Sequence, residues 1–138
     1  MASNYTTNYK LPLWEGGDSV LREEFNEAHE KMDTAIAATA KIAAGTYTGD
    51  GTAERVIELG FAPKCVYVCP PSGNLSHSTT HFFGGFAVVG SPAITGYTVD
   101  PNPVTVVENG FRVLYHQKDG RYVLTNNEGQ VYHYFALG

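Results

Sequence analysis

Positive charge is scarce in this chain: nine Lys and Arg stand against fourteen Asp and Glu, for a net charge of −5 over 138 residues. No basic stretch is present to neutralise a run of phosphates, so nucleic acid is not an expected partner. Long apolar runs are missing too. None nears the ~20 residues of a spanning helix, and membrane insertion is not expected. The opening MASNYTTNYK is polar and has no apolar signal core, which leads us to expect folding in the cytosol without Sec-type export. Only 17% of residues are charged while 43% are hydrophobic, a balance that suits one globular domain with an appendage rather than a disordered tail.

Cysteine occurs twice, as Cys65 and Cys69 in KCVYVCP. On a strand these residues share a face about 13 Å apart, too far for a mutual disulfide. Half of a metal site is the sharper reading, but no second Cys or His pair completes it. Reduced thiols packing as small hydrophobes are favoured, and neither a metal nor another cofactor is expected. Catalytic signatures are also lacking: there is no G-x-S-x-G, no H-E-x-x-H and no phosphate-binding glycine loop. After residue 44 the acidic residues are Asp50, Glu54, Glu58, Asp100, Glu108, Asp119 and Glu128, with Asp50, Asp119 and Glu128 in expected turns. A paired-carboxylate glycosidase is the remaining enzymatic option and is not the favoured one.

What is present changes character at Gly45. Residues 18–44 contain no proline or glycine, whereas residues 45–138 hold thirteen of the fifteen glycines and six of the seven prolines. Three parts are expected: an arm at 1–17, a helical stalk at 18–44 and a β head at 45–138. In the arm, Tyr9, Leu11 and Trp14 read as apolar anchors that either fold back on the chain or attach to a neighbouring protein. Asp18 or Ser19 would cap the helix, Glu23 and Glu24 would sit at its positive end, and Gly45 would end it. Glu27 and Lys31 form an i,i+4 pair. Leu21, Phe25, Ala28, Met32, Ala35, Thr39 and Ile42 recur at 4-3 spacing, the seam of a coiled coil. Ile36, Ala40 and Ala43 would instead widen the stripe towards an ordinary amphipathic helix. The ~40 Å length of 27 helical residues exceeds what one face of the head needs, which favours self-association.

Beyond Gly45 the pattern is about eight or nine short strands with regular turn signals, as in an antiparallel β-sandwich or barrel. GDG at 49–51, Asn109-Gly110 and Asp119-Gly120 read as hairpin turns. Strands are expected at 64–69, 93–99, 103–108, 111–116, 121–124 and 131–137. In the last of these Val131, His133, Phe135 and Leu137 share one face, which places His133 among apolar neighbours as a core residue. Tyr132 and Tyr134 then face outward, and among the nine tyrosines such rings suggest a contact surface. His116, on the face opposite Phe111 and Val113, reads as a surface residue. The longest connection, PPSGNLSHSTTH, carries His77 and His81. At i,i+4 on a helix they could bind a metal; in a polar loop they read as solvent-exposed or as recognition residues. Candidate ligand contacts are Asn74, His77, His81, Tyr97 and Tyr122.

The segment YTTNYKLPLWEGGDSVLREEFNEAHEKMDTAI resembles the N-terminus of small tail-associated proteins of bacteriophages and prophages. Thr7, Asn8, Tyr9, Leu11, Trp14, Phe25, Asn26 and Asp33 carry the likeness. The order GTYTGDGTAERVIELGFAPKCVYV, FFGGFAVVG, ENGFRV and VYHYFALG is similar to C-terminal domains of phage tail fibres. The resemblance implies a non-enzymatic virion protein, assembled in the host cytoplasm and homotrimeric. Its arm would attach to other tail or baseplate proteins and its head to a host-surface glycan or protein. A structural neck, baseplate or tail-decoration subunit is the alternative. The sequence departs from a full fibre in having no long shaft.

Overall fold

The computed structural model describes residues 1–94 and 101–138, and it is mainly β. The chain forms two compact units, Met1–Thr39 and Ala40–Gly138.

In the first unit, strands β1 (Asn4–Tyr5) and β2 (Pro12–Leu13) pair antiparallel ahead of helix α1 (Arg22–Ala37). At 16 residues the helix is about 24 Å long, so the stalk expected over 18–44 is not formed. Both ends differ from expectation for local reasons. The Asp18 carboxylate accepts hydrogen bonds from the backbone N–H groups of Ser3 (2.9 Å) and Glu15 (2.8 Å), which leaves it unavailable as a cap. Leu21 occupies the N-cap without a side-chain bond. At the other end the Thr39 hydroxyl donates to the Ala35 carbonyl (3.1 Å) and the Thr39 N–H to Ile36 (3.1 Å), closing the last turn.

The second unit begins where the helix was expected to continue. Strand β3 (Ile42–Thr48) pairs with β12 (Val131–Leu137) over seven residues, from Thr48↔Val131 to Ile42↔Leu137. Helix propensity in KIAA is worth only tenths of a kcal/mol per residue, and a seven-residue ladder overrides it. Gly45 is therefore mid-strand. The Tyr134 ring crosses it so closely that a Cβ there would lie 2.9 Å from the hydroxyl oxygen. Of the expected seam, Leu21, Thr39 and Ile42 lie outside the helix. Ala28 is buried and Ala35 half-buried, while Leu21, Phe25 and Met32 are exposed. The Glu27–Lys31 ion pair forms as expected, at 2.7 Å.

Among the described residues, two sheets make up the second unit. One runs β3-β12-β5-β8, with β5 at Cys65–Cys69 and β8 at Gly85–Val88, all antiparallel. The other has six strands centred on β10 (Gly110–Lys118). Its first half lies between β4 (Glu54–Glu58) and β9 (Val104–Val107), and its second half pairs with β11 (Arg121–Leu124). Short strands β6 (Ser76–His77) and β7 (His81–Phe82) extend the sheet beyond β11.

The turns divide into one met and two altered. Asp119 (φ 54°) and Gly120 (φ 75°) both take left-handed backbone, as a two-residue hairpin needs. The turn expected at Asn109-Gly110 is shifted by one: Gly110 already pairs with Val107, and a Cβ on it would sit 2.0 Å from the Ile57 carbonyl oxygen. The GDG segment joins no hairpin, because β3 and β4 belong to different sheets. It is a crossing held by Asn126. That fully buried amide donates to Asp50 Oδ1 (2.7 Å) and the Thr52 carbonyl (2.9 Å), and its oxygen accepts from the Asp50 N–H (3.3 Å).

One buried cluster draws Tyr47, Val66, Val68, Ala87, Tyr132 and Ala136 from the four-stranded sheet and Val104, Phe111 and Val113 from the other. This reverses the expected orientation of the last strand. Tyr132 and Ala136 point inward, while Val131, His133 and Phe135 are exposed, so His133 is not a core residue. The tyrosines can be buried because their hydroxyls reach backbone acceptors at the end of β11 and just past it. Tyr47 donates to the Thr125 carbonyl (2.6 Å) and Tyr132 to that of Leu124. Burial pushes both phenols up from their ordinary pKa.

The crossing also predicts an acid response. Hydrogen bonds from the Thr52 hydroxyl and N–H and from Asn126 hold Asp50 down to about 2 from 3.8. A depressed carboxyl stabilises fully above its unfolded value, and that contribution is lost as pH falls through the folded one, here between about 4 and 2. Thermal melts should show the wild type losing Tm more steeply than Asp50→Asn across that window. Parallel curves would contradict this.

Candidate functional site

The PPSGNLSHSTTH segment is not an open loop. It folds into a tight hairpin in which His77 and His81 are cross-strand partners. Ser78 takes a left-handed φ of 72° at the turn, and its hydroxyl lies 2.9 Å from that of Thr80. Thr80 Oγ1 in turn contacts His81 Nδ1 at 2.9 Å, which orients the imidazole. The hairpin is tied at its base by Phe83 N–H donating to the Leu75 carbonyl (2.8 Å).

Strand β7 runs parallel to β11 with His81 in register with Tyr122, and the Tyr122 N–H donates to the Thr80 carbonyl (2.8 Å). The two rings stack with centroids 4.3 Å apart and planes 11° from parallel. The His77 ring stands nearly perpendicular to His81 at 6.4 Å. Three of the five expected ligand contacts thus converge, although 41 residues of sequence separate His81 from Tyr122. This is a strand arrangement, so the helical His77/His81 face considered for metal binding does not form. Among the described residues no group of three or more His, Cys, Asp or Glu side chains is placed to hold a metal ion.

Strand alternation carries the same surface onward. Phe83 follows His81 on its face of the chain, with ring centroids 6.5 Å apart, and Leu124 follows Tyr122 on β11. Both line a cleft of about 340 Å³, whose other walls are Pro70, Pro71, Ser72, Asn74, Asn127, Gln130 and Tyr132. Asn74, a fourth expected contact, is therefore at this site. Tyr97, the fifth, lies outside the described residues. Sequence reasoning missed Phe83, Asn127 and Gln130. The turn segment NNEGQ offered a signal in its amides, but only folding places it opposite PPSGN.

The expected attachment and self-association residues lie in the first unit. Trp14 is half-buried: its Nε1–H donates to Glu24 (3.3 Å) and its ring lies 6.5 Å from Phe25. Leu11 closes the β1–β2 turn by accepting from the Thr6 N–H (2.8 Å). The arm thus folds back on its own helix, one of the two readings of this segment. Tyr9 is 61% exposed and borders a shallow groove of about 540 Å³ along Glu27, Lys31, Thr34 and Ala35.

Both cysteines are free and half-buried. Among the described residues no helix is long and apolar enough to cross a membrane. Comparison with models of protein families, with curated proteins and with solved structures finds no match to this chain.

Proposed function

We propose that the chain is a receptor-binding protein of a phage tail, in which residues 40–138 form a β-sandwich head that binds a cell-surface carbohydrate without catalysis. The observation that carries this reading is the cleft in which Phe83, next to the His81–Tyr122 stack, shares the lining with the side-chain amides of Asn74, Asn127 and Gln130. Rings offer apolar faces to the C–H side of a sugar, while Asn74, Asn127 and Gln130 supply both donors and acceptors for hydroxyls. The sandwich is supported by the single core that side chains of both sheets share. The tail assignment rests on the sequence resemblance, as do a homotrimer, attachment through the arm and assembly in the host cytoplasm. Several weak sites on one particle would act through avidity.

Binding of the full chain to a glycan array and to host cells tests the site. His81→Ala and Tyr122→Ala should each weaken binding at least tenfold, about 1.4 kcal/mol. Tyr122→Phe, which keeps the ring, should stay within a few-fold of wild type. Binding unchanged by both alanine variants, or no glycan or cell binding at all, would overturn the reading. Tight association with purified tail components alone would favour the neck or baseplate subunit instead.

A further inference from the structure

We propose that the cleft between PPSGN and NNEGQ takes an uncharged sugar of one or two rings and rejects acidic glycans. The proposal rests on the carbohydrate reading of this cleft and adds the class of ligand to it. Of the residues that line the cleft, none is Asp, Glu, Lys, Arg or His. Charge is nevertheless close by in the chain. Glu128 is exposed in the turn that carries Asn127 and Gln130, and Lys118 and Arg121 pair across the hairpin that supplies Leu124. Alternation along β11 turns Arg121 to the face of Val123, opposite Tyr122 and Leu124.

The polar groups of the lining are neutral amides and hydroxyls. Asn74 and Asn127 donate through their backbone N–H groups, to Ser72 Oγ (3.4 Å) and to the Tyr132 hydroxyl (3.3 Å), which leaves their side-chain amides to a ligand. Gln130 Nε2 donates to the Val131 carbonyl (3.0 Å), and its oxygen remains an acceptor. An amide donates and accepts, and so does a sugar hydroxyl, so the two pair fully without formal charge. A carboxylate, sulfate or phosphate would lose its water with no cation in the lining to replace it. Glu128 on the same turn adds repulsion.

Both walls are fixed by the protein's own backbone. On one, the Gly73 N–H donates to the Pro70 carbonyl (2.9 Å). On the other, Gln130 N–H donates to Asn127 (3.1 Å), Gly49 N–H to Gln130 (2.8 Å) and Gly129 N–H to Gly49 (3.0 Å). Turns tied in this way lose little freedom on binding, so a few neutral hydrogen bonds suffice for affinity. The volume of about 340 Å³ lies near the lower end of small-molecule sites, about 300–1,000 Å³, which sets the limit of one or two rings.

The full chain is to be screened on a glycan array that carries each neutral sugar beside its sialylated, sulfated or uronate counterpart. Neutral members should lead, with the acidic counterparts at least about tenfold weaker. Calorimetry with the leading neutral disaccharide should give a Kd that changes less than about twofold between ~0.05 and ~0.5 M NaCl, since no ion pair forms for salt to screen. Asn74→Ala and Asn127→Ala should each weaken that disaccharide about threefold to tenfold, with unchanged circular dichroism. Preference for the acidic counterparts, or a Kd that rises steeply with salt, overturns the proposal and leaves the carbohydrate reading standing. Neutral-sugar binding untouched by both alanines overturns it by moving the ligand out of this cleft. Absence of binding to every glycan overturns the proposal and the carbohydrate reading together.

Discussion

Phe111→Ala should lower the unfolding free energy by about 3–5 kcal/mol, the usual cost of truncating a buried phenylalanine. Phe111 is fully buried, and its ring meets Tyr47 (6.0 Å) and Tyr134 (5.3 Å), both from the opposite sheet. The vacated space would be walled on two sides by hydrogen-bonded sheets, which limits how far it can collapse. A domain of this size has about 5–15 kcal/mol in total, so about a fifth or more of the stability is at stake. Urea unfolding followed by far-ultraviolet dichroism measures this, with an unchanged m-value expected. Val56→Ala serves as the control: Val56 is exposed on the outer face of β4, and the change should cost less than about 1 kcal/mol. Equal losses in the two variants would mean that Phe111 does not bridge the sheets.

Asn126→Leu should cost about 3 kcal/mol, or roughly 12–24 °C in Tm for a unit of about 100 residues. The side chain keeps similar bulk, but the Thr52 carbonyl, Asp50 Oδ1 and the Asp50 N–H each lose a partner at the point where the chain passes between sheets. Asn126→Asp gives a sharper test of the same geometry. It replaces a donor 2.7 Å from Asp50 Oδ1 by a second acceptor carboxylate. Two carboxylates at that distance raise their joint affinity for a proton. This variant should therefore recover part of its lost stability as pH is lowered from 7 towards 5, where the wild type changes little. A flat response would remove the crossing from the account.

Much of the strand pattern is legible along the chain, because alternation and turn chemistry are local. Residues 64–69, 103–108, 121–124 and 131–137 read as strands and are strands to within a residue or two at each end. Asp119-Gly120 reads as a hairpin turn for the same reason. The helix is legible at its centre, where Glu27 and Lys31 pair, and misread at both ends. Alanine-rich residues 40–44 carry no signal of the strand they join until β12, nearly ninety residues later, is in place. The direction of β12 was equally undecidable from alternation, since both of its faces are apolar and either could have been the inner one. The Leu124 carbonyl at the end of β11, which accepts from the Tyr132 hydroxyl, selects the tyrosine face.

The candidate site divides in the same way. Asn74, His77 and His81 stand out in the sequence as polar and aromatic residues of the longest connection, and Tyr122 as a tyrosine well outside it. Their association with Phe83, Asn127 and Gln130 depends on a parallel pairing of β7 with β11 that has no local signature. What the sequence determined by itself was the class: a chain poor in charge, mainly β, with one helix near its start. The tertiary structure decided where the helix stops, which tyrosines are buried and which rings meet. Each of those outcomes turns on a partner strand or backbone carbonyl distant in sequence, and periodicity within one segment holds no information about that partner.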